Sequence, residues 1–182
     1  MIRIFDFVAA LIGLLILWPI LGLVYLIGLV DTGSPVFVQK RVGMHKKPFN
    51  LVKFRTMSVD TESVASHLAS TAAITKWGGF LRKTKLDELP QLINVLKGEM
   101  SLVGPRPNLF NQKELISERD ALRIYDVLPG ITGLAQVQNI DMSKPKLLAQ
   151  TDKKMIENLT ITTYLKYILK TVTGSGGGDA VK

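Results

Sequence analysis

The sequence has no cysteine among its 182 residues and only two histidines. Without cysteine there is no disulfide, no thiolate metal site and no cysteine nucleophile, and the redox compartment cannot be inferred. His45 and His67 have no carboxylate or second histidine at the spacing of metal ligands, so we interpret both as structural or exposed. The motifs G-x-x-x-x-G-K-[ST], G-x-G-x-x-G and H-E-x-x-H are also absent. Any phosphate must therefore be bound by side-chain cations and helix ends.

Acidic residues are fewer than basic ones, and the balance sets the class of partner. There are 23 Lys and Arg against 15 Asp and Glu, which gives a formal net charge of +8. This charge predicts an anionic partner, which could be nucleic acid, anionic lipid or a phosphorylated substrate. The length allows one domain with a short appendage. Charge alone does not choose among the three partners.

The N-terminal region contains a long run without charge, at residues 7–30. As a straight helix these 24 residues extend about 36 Å, which exceeds the roughly 30 Å of a bilayer core. The run is too long for the apolar region of a cleaved signal peptide, and no small-x-small site follows it at Asp31. Residues 1–30 are therefore predicted to be a permanent membrane anchor.

Pro19 lies near the middle of this run, where it removes the helical hydrogen bond to the Leu15 carbonyl. Basic residues flank both ends of the run, with Arg3 before it and Lys40 and Arg41 after it. Basic residues collect on the cytoplasmic side of membranes, so a re-entrant helix broken at Pro19 would satisfy both flanks. The alternative is a single-pass helix that tolerates its proline. These residues alone leave both alternatives open.

Beyond a turn-rich linker at residues 31–35, two extended stretches at 36–42 and 49–57 predict a β-hairpin. Four basic residues are interspersed with apolar ones along these strands: Lys40, Arg41, Lys53 and Arg55. We expect one face of the hairpin to be packed and the other to offer cations. Exposed strand charges without a ligand are the alternative.

Helices are predicted over most of the remaining chain, at residues 86–96, 111–127 and, with an interruption, 144–172. Gly98 ends the first of these helices. Residues 58–79 are polar, and only a short helix is predicted within them. Residues 129–133 predict a loop. The fold class is therefore α+β, with a small domain at 31–173.

Residues 155–172 mix apolar side chains with Lys166 and Lys170, a pattern that is typical of a helix on a membrane surface. An ordinary core-facing helix is equally consistent with it. Residues 174–182 are glycine-rich and predict a flexible tail.

Asp87 and Glu88 form the most informative local feature. Proline is tolerated only in the first turn of a helix, so Pro90 places the helix start at or just before Asp87. The two acidic residues then lie at the positive end of a helix, behind the three cations of residues 82–85. This arrangement would keep both carboxylates ionised and would attract a diphosphate with its Mg²⁺. A carboxylate can also act as a nucleophile.

Helix capping is the alternative interpretation of the same residues. Asp and Glu are common in the first helical turn, and Thr84 with Asp87 could form a capping box. Taken alone, the pattern favours capping. Neighbouring helical side chains diverge, so in a catalytic site one residue would be the nucleophile and the other would hold metal.

Arg106 lies between Pro105 and Pro107, and the two prolines restrict the backbone on either side of it. Such rigid presentation suits a bidentate grip on phosphate. A solvated arginine in a rigid loop is the alternative.

Six segments, in this order along the chain, resemble the motifs of one known family. They are QKRVG at 39–43, KFRTM at 53–57, GFLR at 79–82, LDELPQL at 86–92, LVGPRP at 102–107 and PGITGLAQ at 129–136. Together they resemble the bacterial sugar transferase family, the monotopic phosphoglycosyl transferases. The resemblance extends from the anchor to about residue 137.

The resemblance implies a reaction in two steps. Asp87 would attack the sugar-side phosphate of a UDP-sugar and expel UMP, and a polyprenyl phosphate, typically undecaprenyl phosphate, would then accept the phosphosugar. Glu88, with Asp87, would hold Mg²⁺. The implied phosphate- and nucleotide-binding positions are Arg41, Lys53, Arg55, Arg82, Pro105 and Arg106.

The resemblance also implies a re-entrant anchor broken at Pro19, on the cytoplasmic face of the bacterial inner membrane and in contact with its lipid. An N-acetylated hexosamine is the donor sugar expected from the family. The sequence does not decide between a monomer and a homodimer. A non-catalytic membrane module that binds anionic lipid or a partner is the alternative function. Nucleic acid is not an expected partner, because no recognition motif accompanies the charge.

The sequence departs from the family pattern at three places toward its C-terminus. Many relatives carry Asn-Gly-Arg where this chain has residues 138–140, and an aromatic pair where it has Met155 and Ile156. Tyr164 stands at a commonly acidic position. These departures leave the identity of the donor sugar open.

Overall fold

The computed structural model of the chain describes residues 2–61 and 71–174. His67 and nearly all of the predicted tail at 174–182 lie outside these residues. Within them the elements follow the order α1 Ile2–Thr32, β1 Val36–Val42, β2 Pro48–Phe54, α2 Lys76–Thr84, α3 Gln91–Leu96, β3 Ser101–Val103, α4 Lys113–Ala121, β4 Gly130–Thr132, α5 Leu134–Val137, α6 Pro145–Glu157 and α7 Ile161–Val172. The predicted mixture of helices and strands is confirmed.

Helix α1 is continuous from Ile2 to Thr32, so the break predicted at Pro19 is not found. One missing hydrogen bond, to Leu15, leaves the helical bonds on either side of the proline in place. Within the described part of the chain, α1 is the only helix long and apolar enough to cross a membrane. Its outward face exposes large apolar side chains, among them Ile16 (68%), Trp18 (68%) and Val30 (90%).

The inward face of α1 packs against the globular part of the chain on both sides of Pro19. In its first half, Ala10 is fully buried in a cluster with Leu92 of α3. In its second half, Val24 is buried with Phe54 of β2. Both halves of the helix are therefore held by the same domain, and the packed stripe continues past the proline.

The predicted hairpin is confirmed, with β1 and β2 antiparallel and Phe37 opposite Lys53. The expectation for its faces is wrong, because the cations and the packed residues share one side. Arg41 and Lys53 are buried, at 6% and 7% exposure, on the same face as Leu51. Side chains two residues apart point to the same face of a strand, which places Lys53 beside Leu51. Only Lys40 is presented on the exposed face.

Strands β3 and β4 form a short parallel pair, and β4 lies within residues 129–133, where the sequence predicted a loop. Gly104 and Gly130 allow the two chain segments to approach closely. A Cβ atom on Gly130 would lie 2.0 Å from the Gly104 nitrogen, which no side chain can accommodate. This pair fixes the start of the loop that carries Arg106.

The predicted interruption within residues 144–172 is confirmed, because α6 ends at Glu157 and α7 begins at Ile161. Thr160 and Thr163 form a capping box at the start of α7. Tyr164 faces the core from α7. The opposite side of α7 exposes apolar residues: Ile161, Leu165, Leu169 and Val172. The helix thus has both a core-facing side and an unburied apolar side.

Candidate active site

Asp87 and Glu88 lie in a 3₁₀ turn, Leu86–Glu88, between α2 and α3. Lys85 begins this turn in the left-handed conformation, with φ of 59°, and redirects the chain after α2. Asp87 and Glu88 are 2% and 6% exposed. Charged carboxylates are costly to bury unless they are paired or bound, so this burial requires partners.

Capping does not account for the two acids. The residues at the N-terminal ends of the 3₁₀ turn and of α3 are Lys85 and Pro90, and neither makes a side-chain cap. The Thr84 hydroxyl instead donates to the carbonyls of Phe80 and Leu81 in its own helix. The capping box of Thr84 and Asp87, part of the alternative interpretation, is therefore not formed.

Glu88 is paired with Arg106. The Arg106 Nη2 atom donates to Glu88 Oε1 at 2.7 Å, and both side chains are largely shielded from water. Arg106 is supplied by the loop after β3, so this ion pair joins the acidic turn to the loop at 105–107. A charge-assisted bond of this length is among the stronger hydrogen bonds in proteins.

A small cleft beside this ion pair gathers several of the predicted site residues. Its lining consists of Arg41, Leu51, Lys53, Gln91, Arg106 and Pro107. The structure therefore brings together residues from the hairpin, from α3 and from the loop at 105–107. A cleft lined by three cations is suited to an anionic ligand.

The remaining predicted cations, Arg82 and Arg55, do not line this cleft. Arg82 Nε on α2 donates to Thr56 Oγ1 at 2.8 Å. Arg55 Nε donates to the Ser34 carbonyl at 2.8 Å, and its guanidinium lies 5.3 Å from the centre of the Phe37 ring. Arg55 thus helps to hold the base of the hairpin to the end of α1.

Mg²⁺ fits the acidic pair, although only two carboxylates are available. No group of three or more histidine and carboxylate side chains capable of holding a metal occurs within residues 2–61 and 71–174. In nucleotide enzymes Mg²⁺ is usually held by one or two carboxylates together with substrate phosphates. Asp87 and Glu88 provide that number of ligands.

Lys85 is a site residue that the sequence did not single out. Burial lowers the pKa of its ammonium group, the nearby Glu88 carboxylate partly opposes this, and Arg106 lowers it further. Its Nζ atom donates to the Thr171 carbonyl near the end of α7 at 3.3 Å. Lys85 therefore belongs to the electrostatic surroundings of the Glu88–Arg106 pair. Its position two residues before Asp87 was the available signal.

Arg119 on α4 was also missed. It is 1% exposed, and its Nη1 atom donates to the Arg106 carbonyl at 2.8 Å. Its sequence signal was its spacing of four residues from Leu115, which places an arginine on the buried face of a helix.

Comparisons with known proteins identify the family of this chain. The model of the family described as bacterial sugar transferase matches residues 1–175. The uncharacterized sugar transferase EpsL of Bacillus subtilis (strain 168) is 40% identical over 171 residues, which cover 93% of this chain and 84% of that protein.

Two further relatives carry names that state a reaction. A UDP-glucose:undecaprenyl-phosphate glucose-1-phosphate transferase of Caulobacter vibrioides is 36% identical over 93% of this chain and 67% of its own length. A transferase of the same name from Escherichia coli (strain K12) is 37% identical over 92% of this chain but only 38% of its own length. The family match over nearly the whole chain confirms the resemblance seen in the six motifs. This chain belongs to the bacterial sugar transferase family.

Proposed function

We propose that the chain transfers a phosphosugar from a UDP-sugar to a polyprenyl phosphate and releases UMP. The observation that carries the proposal is the buried Asp87–Glu88 pair, with Glu88 bound to Arg106 at 2.7 Å beside a cleft lined by Arg41 and Lys53. A buried acidic turn beside convergent cations suits a diphosphate substrate, which needs cations for its phosphates and a nucleophile at one phosphorus. The names of the two relatives above supply the acceptor class. A non-catalytic membrane module is not favoured, because the chain belongs to a family of transferases.

The first step forms a covalent intermediate on Asp87. A carboxylate oxygen of Asp87 attacks the sugar-side phosphorus of the UDP-sugar and forms a new P–O bond. The bond from that phosphorus to the bridging oxygen breaks, and its electron pair leaves with UMP. The phosphosugar is then an acyl phosphate on Asp87.

The second step regenerates the enzyme. A phosphate oxygen of the polyprenyl phosphate attacks the same phosphorus, and the bond to Asp87 breaks to restore the carboxylate. The product is a polyprenyl diphosphosugar. Neither step needs a net proton transfer.

The cations of the cleft have complementary tasks in this proposal. Arg41, Lys53 and Arg106 bind the phosphates, and Arg82 extends the same cationic side from α2. Arg106 also fixes the orientation of Glu88. Asp87 and Glu88 would hold Mg²⁺, which when bound neutralises part of the charge of the diphosphate.

Membrane attachment brings the site to the acceptor. The exposed apolar faces of α1 and α7 are the surfaces for contact with lipid. Because the domain packs on both halves of α1, we propose that α1 is embedded from the cytoplasmic face of the membrane and that both of its ends stay on that face. The polyprenyl phosphate group, which lies at the membrane surface, would then be level with Asp87.

Release of UMP is the direct test of the proposed reaction. The protein is incubated in detergent with undecaprenyl phosphate, Mg²⁺ and a panel of UDP-sugars that includes glucose, galactose and N-acetylated hexosamines. We expect UMP from at least one donor, and no UMP from the Asp87→Asn variant. Asp60→Asn, at an exposed aspartate, is the matched control and should retain full activity. No UMP from any donor would overturn the proposed reaction.

The intermediate is tested separately from turnover. With the UDP-sugar but no acceptor, the intact mass of the protein should rise by one phosphosugar and return when undecaprenyl phosphate is added. Asp87→Asn should show no mass increase. Turnover by Asp87→Asn would remove the nucleophile assignment while leaving the reaction class in place.

A further inference from the structure

Four successive backbone carbonyls, from Pro105 to Asn108, each accept a hydrogen bond from another part of the chain. Their donors are, in order, Gly130 N at 2.9 Å, Arg119 Nη1 at 2.8 Å, Arg41 Nη1 at 3.1 Å and Val42 N at 2.9 Å. Pro105 and Pro107 have no N–H group, so this loop has fewer backbone donors of its own. Its conformation therefore depends on donors that reach its carbonyls from outside.

Arg119 is the more deeply buried of the two arginine donors, at 1% exposure against 6% for Arg41. Its side chain is held by Asp152 of α6, whose Oδ2 atom accepts from Nη2 at 2.7 Å and from Nε at 3.1 Å. Asp152 is itself fully buried. The remaining Nη1 atom of Arg119 divides its bonds between the Arg106 carbonyl and Asn108 Oδ1, at 2.8 and 3.0 Å.

A buried ion pair of this kind is weak evidence for stability. Removing two charges from water is costly, and well-packed apolar residues often stabilise a fold as much or more. The Arg119–Asp152 pair does something that apolar residues cannot do, because it presents a guanidinium donor to the carbonyl of Arg106. The side chain of that same Arg106 binds Glu88 in the proposed site.

We propose that Arg119, neutralised by Asp152, is a positioning residue that fixes the main chain of Arg106 so that its guanidinium meets Glu88. This inference rests on the proposed function, because Arg106 and Glu88 belong to the proposed site. Arg119 acts through Arg106 and does not touch substrate. A displacement of a binding group by about 1 Å can lower a rate by about 10²-fold, so such positioning is measurable.

The test replaces the buried pair by an apolar pair, Arg119→Met with Asp152→Leu, which removes both charges together. We expect this double variant to fold, with kcat for UMP release lower by about 10²-fold. Its affinity for UDP, measured by calorimetry without turnover, should fall by about tenfold. The matched control is Arg123→Met with Asp126→Leu, which makes the same change at an exposed ion pair and should alter neither quantity.

A double-mutant cycle separates positioning from general loosening of the fold. Arg106→Ala should lower kcat strongly in the wild-type chain but only slightly when Arg119 and Asp152 have already been replaced. A purely structural role would make the two effects multiply. Multiplicative losses would therefore overturn the proposal.

Failures of the two proposals give different results. If wild-type protein releases no UMP, the proposed function fails, and the affinity for UDP still decides the role of Arg119. Unchanged kcat and unchanged UDP affinity in the double variant would overturn the positioning role. If the double variant does not fold, Arg119→Lys replaces it, because lysine lacks the planar fork that directs Nε and Nη2 to Asp152 and Nη1 to the Arg106 carbonyl. If Arg119→Lys has the same kcat and the same affinity for UDP as the wild-type chain, the proposal is also overturned.

Discussion

The hydroxyl of Tyr164 on α7 donates a hydrogen bond to the carboxylate of Asp6 on α1, so the last helix is tied to the first. Both residues are buried, and the same Asp6 oxygen also accepts from the Leu102 amide at 3.2 Å. A carboxylate at the position of Tyr164 would face that of Asp6, whereas tyrosine supplies a donor.

Tyr164→Phe should destabilise the fold, because it removes one donor from a buried carboxylate and leaves the ring in place. The expected loss is about 1–3 kcal/mol in the free energy of unfolding, measured by urea denaturation in detergent. Tyr167→Phe, on the same helix but only half-buried, is the control and should change stability by less than about 0.5 kcal/mol. Equal losses in the two variants would mean that the bond to Asp6 contributes little.

Stability should also fall in alkaline solution. Burial raises the pKa of the Tyr164 hydroxyl above its usual value of 10.0, and the hydrogen bond to Asp6 raises it further. Above pH 10 the unfolded chain loses this proton while the folded chain keeps it, so the unfolded state is favoured as pH rises. One such group lowers the free energy of unfolding by about 1.4 kcal/mol per pH unit.

Measurement of urea denaturation between about pH 10 and 11.5 tests this dependence. The slope should be smaller in Tyr164→Phe than in the wild-type chain. Identical slopes would show that Tyr164 ionises at the same pH in the folded and unfolded states. Burial raises the pKa of Tyr125 and Tyr167 as well, so a residual slope is expected in the variant.

The hairpin could be predicted from sequence, but the side on which its cations lie was predicted wrongly. Side chains alternate between the two faces of a strand, so the sequence already placed Lys53 on the same face as Leu51 and Arg41 on the same face as Gln39. Charged side chains are rarely buried, and this general preference led to the prediction that the cations lie on an exposed face, apart from the packed residues. Arg41 and Lys53 are exceptions to that preference, because both are buried and line the cleft.

Lys53→Met and Lys40→Met compare the two faces of the hairpin with the same substitution. Lys53 lines the cleft, whereas Lys40 is exposed on the other face. We expect Lys53→Met to raise KM for the UDP-sugar by about tenfold or more, because one charge-assisted bond to phosphate is lost. Lys40→Met should leave KM unchanged in the same UMP-release assay. Similar KM values in the two variants would remove Lys53 from the donor site.

The parallel β3–β4 pair and the Arg119–Asp152 pair were beyond the sequence prediction for different reasons. Strands of three residues are too short to display a period, so close approach of Gly104 and Gly130 decides their pairing. The ion pair did leave a pattern, since Arg119 and Asp152 each lie on the buried face of a helix. Which buried cation meets which buried anion depends on how α4 and α6 pack.

Lys85→Arg should change how donor binding depends on pH. Burial lowers the pKa of Lys85 below 10.5, so its charge is lost at a lower pH than that of an exposed lysine. If this charge helps to bind the donor, KM for the UDP-sugar should begin to rise below pH 10.5 in the wild-type chain. Arginine keeps its charge up to about pH 12. Lys85→Arg should therefore move the rise in KM to higher pH.

The matched control for Lys85 is Lys83→Arg, at an exposed lysine on the neighbouring α2. Its pH profile of KM should coincide with that of the wild-type chain. A profile that does not move in Lys85→Arg would show that the charge of Lys85 does not contribute to donor binding.

The course of α1 through the membrane is the last feature that can be tested directly. The domain buries Ala10 before Pro19 and Val24 after it, and Arg3 donates to the Met100 carbonyl at 2.9 Å. A helix that spanned the bilayer would carry one of these contacts to the opposite side, away from the domain. We therefore expect both ends of the chain on the cytoplasmic side.

Because the sequence has no cysteine, single cysteines added before residue 1 and after residue 182 can be labelled without background. In intact spheroplasts neither should react with a membrane-impermeant maleimide, and both should react after lysis. Labelling of the N-terminal cysteine alone before lysis would establish a spanning helix.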